Sequence, residues 1–138
     1  MLILNFLLYY LVIIPISLLP FPILYGLSDF LFVLFYYVLG YRKKIVLGNI
    51  QRSFPKLSHK EHITICKKFY RHFCDLILES LKTFTISKKE VQKRVVCKNP
   101  DVINKYYDNK QSVIVAGGHY NNWEIFAVAV NGLIKHKA

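Results

Sequence analysis

The chain has 138 residues, enough for one domain of modest size. Its hydrophobic fraction is 54% and its net charge +11, and the two are segregated: from Met1 to Tyr41 the one charged side chain is Asp29, while all nineteen Lys and Arg residues lie from Arg42 onward. An apolar anchor followed by a basic domain with no nucleic-acid-binding signature argues against a nucleic-acid binder and in favour of a protein working at a membrane.

The opening run, MLILNFLLYYLVIIPISLLPFPIL, exceeds the length that suggests a membrane span. A helix of about 23 residues would rise about 35 Å, with Pro15, Pro20 and Pro22 kinking it. The next stretch, SDFLFVLFYYVLGY, could continue the helix, return through the bilayer or lie along its surface. One kinked span followed by an interfacial helix is favoured, because Asp29 interrupts the stretch and tyrosines crowd its end. A cleaved signal peptide fits poorly, since no Lys or Arg precedes the run and no small-residue cleavage site comes after it. Tyr36, Tyr37 and Tyr41 mark the exit, and Arg42, Lys43 and Lys44 come directly after, which by the positive-inside rule places that flank and the basic domain in the cytoplasm. Residues 1–41 thus read as a membrane anchor and 42–138 as a cytoplasmic domain.

RKKIVLGNIQRSF reads as a basic amphipathic helix with Ile45, Val46, Ile50 and Phe54 on one side, stopped by Pro55, its cations facing anionic headgroups. Ser58 and Glu61 have capping-box spacing. The apolar positions Cys66, Phe69, Phe73, Leu76, Ile77, Leu81 and Phe84 then predict an amphipathic helix over about 59–84. His59, His62 and His72 fall on that helix and read as surface or boundary residues. Cys66 and Cys74 would lie about 12 Å apart on it, beyond disulfide reach; with Cys97 they read as small apolar groups with no redox or metal role.

Ser87 and Glu90 repeat the capping spacing and open a short helix to about Arg94. VVCK predicts a short strand, Asn99-Pro100 a helix start, and DVINKYYDNK the helix itself. SVIVA is apolar and rich in β-branched residues, the composition of a buried central strand, and a last helix begins near Asn122. Helices alternating with apolar strands predict an α/β fold with a mixed sheet flanked by helices. Two short strands do not make a stable sheet, so the expectation is the front part of a larger, truncated domain.

Between SVIVA and the last helix lies GGHYNNWE. Ligands of α/β sheets gather at the carboxyl ends of strands, where this loop is expected. Gly117 and Gly118 would permit unusual backbone angles and close approach by a substrate, with nearby amides as an oxyanion site. Glu124, favoured as a carboxylate by the helix N-terminus, could reach back to His119 and hold its imidazole as a general base for an attacking hydroxyl. The spacing alone equally allows a helix cap and an ordinary first-turn acid. It is not a zinc signature: HExxH needs two histidines one turn apart, and His136 is distant.

His119-Tyr120-Asn121-Asn122-Trp123-Glu124 matches the H-x4-D/E motif of the glycerolipid acyltransferase superfamily. With the apolar N-terminus, YRKKIVLGNIQRSFP, KFYRHFCDLILESLK and an expected strand running into GGHYNNWE, the chain resembles the bacterial lipid A late acyltransferases of the lauroyl/myristoyl type along essentially its whole length. The resemblance implies an O-acyltransferase that needs no cofactor, moving a fatty acyl group from acyl carrier protein to a hydroxyl of a lipid A precursor at the cytoplasmic face of the inner membrane. His119 would be the general base and Glu124 its partner. Members of that family are considerably longer, with further motifs beyond H-x4-E, which implies that this chain is an N-terminal portion. Two other readings remain: an acyltransferase for another lipid acceptor, such as a lysophospholipid or aminolipid, and a non-catalytic membrane-bound remnant or interaction protein.

Overall fold

The computed structural model describes residues 2–118 and 120–137. It divides into two compact units: Leu19–Leu78, and a second made of Met1–Leu18 together with Glu79–Ala138.

In the first unit, α3 (Phe21–Val33) runs on through a π-helical stretch, Leu34–Val38. Pro20 holds an extended conformation (φ −65°, ψ 150°) directly before it, and Pro22 sits at the helix start, where its missing amide costs nothing. α4 (Lys43–Ser53) and α5 (His59–Lys82) come next. α3 buries Phe21, Leu24, Ser28 and Phe32; α5 buries His62, Cys66, Tyr70, Cys74 and Leu78, one position per turn. Phe32, Tyr36, Ile50, Cys66, Tyr70 and Cys74 meet in one cluster. Leu24 is 1% exposed, and burying such a side chain contributes about 1.5–3 kcal/mol.

Polar groups in this unit find partners. Ser28 Oγ donates to Asp75 Oδ1 at 2.6 Å, and the buried Tyr70 hydroxyl donates to the Tyr41 carbonyl. Burial pushes the Cys66 and Cys74 thiols, and the Tyr70 phenol, above their ordinary pKa values. Those thiols therefore stay protonated and pack as apolar groups, and no cysteine is in a disulfide. His62 corrects a sequence expectation. It is buried rather than at the surface, and its Nε2 donates to the Phe54 carbonyl at 2.8 Å, closing the turn that leads into α5.

The capping signals predicted from sequence are present. The Ser58 amide and hydroxyl donate to Glu61 Oε2 at 2.8 and 2.7 Å, and the Ser87 hydroxyl accepts from the Glu90 amide at 3.2 Å. On α4, Val46, Leu47 and Ile50 join the core, while Ile45 and Phe54 are exposed; the buried side is narrower than the sequence pattern implied.

In the second unit, α1 (Leu2–Leu8), a π-helical stretch (Tyr9–Ile13) and α2 (Ile14–Leu18) make one continuous run. The change of register comes just ahead of Pro15, which lacks an amide and crowds the preceding turn. The run ends before Pro20, leaving the Ser17 carbonyl without a helical donor; Lys82 Nζ (2.7 Å) and Thr85 Oγ1 (2.5 Å) supply two. α6 (Lys88–Arg94), α7 (Asp101–Asp108) and α8 (Trp123–Leu133) complete the unit, with Val91, Ile125 and Ala129 buried.

Two expectations are overturned. The α/β fold with a mixed sheet is not found: among the described residues every regular element is helical, and VVCK and SVIVA are irregular. A β-branched run becomes a strand only when a neighbour takes up its amides and carbonyls, and neither run has one among the described residues. Ile114 is 96% exposed, where a central strand would bury it. The second correction concerns the membrane segment. The opening 24 residues do not form one kinked helix, because the chain breaks at Leu19-Pro20. The one helix among the described residues that is long and apolar enough to cross a membrane is Phe21–Val38, which contains most of the stretch first read as interfacial.

Candidate functional site

The loop carrying GGHYNNWE leads into α8. Asn122 caps that helix: its Oδ1 accepts from the Ile125 amide at 3.0 Å, and its Nδ2 donates to Glu79 Oε2 at 2.5 Å. This side-chain bond joins the start of α8 to the last turns of α5 across 43 positions of sequence. Glu124 lies exposed in the first turn of α8, beside helix amides that favour a carboxylate there. His119, and with it the pairing of His119 and Glu124, lies outside the described residues.

Gly117 and Gly118 are exposed, and a Cβ placed on either would meet nothing within 4 Å. Neither has a positive φ. The left-handed conformation needed to turn the chain into α8 belongs instead to Asn121 (φ 58°), one of the few side chains that tolerate it. The sequence pattern drew attention to the glycines, but asparagine is the other residue that favours this region. The Tyr120 amide donates to the Gly118 carbonyl at 2.9 Å and the Trp123 amide to the Asn121 carbonyl at 3.1 Å, so the loop is tightly folded on its own backbone. Tyr120 is fully outward.

The three basic residues predicted for the membrane surface differ from one another. Arg42 adopts φ 50° at the head of α4 and is exposed, as is Lys44. Lys43 turns inward: its Nζ lies 3.8 Å from the centroid of the Tyr36 ring and 3.5 Å from the Tyr36 carbonyl. No group of three or more His, Cys, Asp or Glu side chains able to hold a metal occurs among the described residues.

Two features were not foreseen from sequence. Glu79 anchors the cap of α8, and Lys67, Lys68 and Arg71 of α5 gather beside Phe32 and Tyr37. For the first, the sequence offers no local signal: Glu79 falls on the polar side of α5 with His72, Asp75 and Lys82, and its partner is 43 positions away.

An H-x4-E loop ahead of a capped helix, preceded by an apolar N-terminal region, marks the chain as one of the acyltransferases of lipid biosynthesis. More narrowly, the family model for the bacterial lipid A biosynthesis acyltransferases matches residues 2–132, and the chain belongs to that family. No curated protein and no solved structure matches it.

Proposed function

We propose that the chain serves transfer of a fatty acyl group from acyl carrier protein to a hydroxyl of a lipid A precursor, with His119 as general base and Glu124 as the carboxylate that orients it. The observation that carries this reading is the H-x4-E motif at the capped start of α8, in a chain matched to the family over residues 2–132. His119 takes the proton from the acceptor hydroxyl as its oxygen attacks the thioester carbonyl. Amides around Gly117 and Gly118 stabilise the oxyanion, the carbon–sulfur bond then breaks, and the thiolate takes the proton back from the imidazolium. No catalytic Ser or Cys stands in the motif, so direct transfer is simpler than an acyl-enzyme route.

The net charge of +11 suits an acidic carrier protein and a phosphorylated acceptor. Arg42, Lys43 and Lys44, just beyond the apolar helix Phe21–Val38, support a cytoplasmic placement of the basic domain at the inner membrane.

The test is an assay of membranes carrying the natural gene product with radiolabelled acyl carrier protein thioester, offering a lipid A precursor and, separately, a lysophospholipid. Alkali-labile label on the lipid A precursor is expected, lost in His119→Ala and strongly reduced in Glu124→Gln while both variants remain in the membrane. Near-normal transfer by His119→Ala would sink the base assignment, and labelling of the lysophospholipid alone would move the acceptor to another lipid class.

A further inference from the structure

We propose that a groove on the Leu19–Leu78 unit binds the phosphate of a membrane lipid headgroup. Phe32 and Tyr37 wall one side of it, and Thr64, Lys67, Lys68 and Arg71 of α5 the other, around about 290 Å³. Positions 67, 68 and 71 put three cations within one turn of a helix, where like charges repel. None of the three is in an ion pair among the described residues. Such a cluster is relieved by an anion that enters it, and a phosphate offers several oxygens to several donors at once.

The aromatic rings set the direction of the cations. The Arg71 guanidinium carbon lies 5.0 Å from the Phe32 centroid, and Lys67 Nζ lies 5.9 and 5.7 Å from the Tyr36 and Tyr37 centroids. Each ring attracts the charge above its face without neutralising it, so the groove is partly organised before a ligand arrives. The adjoining helix decides between a lipid and a free anion. Phe32 and Tyr37 belong to Phe21–Val38, the run long and apolar enough to cross a membrane, and Phe30, Val33 and Val38 of that run are exposed. A lipid can lay its acyl chains along those side chains and its phosphate in the groove, an arrangement that basic pockets beside membrane helices are suited to hold. Three cations favour the dianion of a phosphomonoester over a singly charged diester.

The test uses the full chain purified in a non-ionic detergent, titrated with dioleoyl phosphatidic acid, phosphatidylglycerol or phosphatidylcholine, with bound lipid counted by native mass spectrometry. A saturable one-lipid adduct is expected, tightest with phosphatidic acid. Lys67→Gln/Arg71→Gln should weaken it by about tenfold or more, as removal of charge-assisted hydrogen bonds does. Lys56→Gln/Lys60→Gln removes the same charge from exposed positions of the same unit and should leave the affinity nearly unchanged. Lys68→Gln, at an exposed position, carries the test should the double variant lose its helical circular dichroism. Equal weakening by both charge-removing pairs, or no saturable adduct, would show diffuse attraction and overturn the site. Displacement of phosphatidic acid by inorganic phosphate at matched ionic strength would assign the groove to a free anion and overturn the lipid.

Discussion

Asn122 and Glu79 are joined by a 2.5 Å hydrogen bond, and the same asparagine caps the helix that carries Glu124. The start of α8 is thus held at a fixed point on α5 by one side chain that both accepts and donates. Replacing Asn122 by Ala removes both bonds and should cost about 1–2 kcal/mol in denaturant unfolding monitored by helical circular dichroism. Asn122→Asp keeps the acceptor for the Ile125 amide but sets a second carboxylate against Glu79. Repulsion raises a carboxyl pKa in the folded state, so that variant should be less stable than wild type at pH 7 and recover as the pH falls toward 5. Wild-type stability of Asn122→Asp at pH 7 would refute the arrangement.

The turn ahead of that helix makes a separate prediction. Asn121 has φ 58°, a conformation costing about 1–2 kcal/mol for side chains other than Gly, Asn and Asp. Asn121→Gly should fold with wild-type stability, whereas Asn121→Val should lose that amount. Equal thermal midpoints for the two variants would place the turn elsewhere.

Acid sensitivity should localise in part to the start of α5. The Ser58 hydroxyl, then its amide, hold the Glu61 carboxyl below its ordinary pKa of 4.5. A depressed folded-state value contributes stability that is present above the ordinary pKa and lost as the pH falls through the depressed one. Ser58→Ala should therefore flatten the acid limb of the stability profile below pH 4.5 while shifting the neutral region only slightly. An unchanged acid limb would remove Glu61 from the account.

The thiols offer a check on the core. Cys66 and Cys74 are fully buried with pKa values raised by burial, whereas Cys97 is partly exposed. Iodoacetamide at pH 8 should modify Cys97 in the folded protein and the other two only on unfolding, read by peptide mass spectrometry. Early labelling of Cys66 would contradict the packing of α5.

How much of the fold is legible in the chain depends on the range of each interaction. Ser58, Ser87 and Asn122 act within three or four residues of themselves, so the beginnings of α5, α6 and α8 can be placed from sequence alone. The break at Pro20 is hidden because apolar composition is continuous across it, whereas helix continuity depends on backbone amides that Pro20 and Pro22 lack. SVIVA misleads for a related reason: β-branched composition reports what a residue would do in a sheet, not whether a neighbouring strand is there to pair with it. His62 and Glu79 are hidden because their partners, the Phe54 carbonyl and Asn122, become neighbours only after the chain folds. The resemblance to the family counted a strand before GGHYNNWE that is absent among the described residues, yet the family match over residues 2–132 stands.

The two donors on the Ser17 carbonyl bear on how this protein can be handled at the bench. Trimming the greasy leading segment is an obvious route to a more tractable sample. Here that segment belongs to the same compact unit as residues 79–138, and Lys82 and Thr85 would lose the acceptor they share. A version starting at Leu19 would take one acceptor from two side chains at the end of α5, on the unit that also contains Gly117, Gly118 and Glu124. Solubility gained at one end would be drawn from order at the other, so detergent is a better tool than deletion.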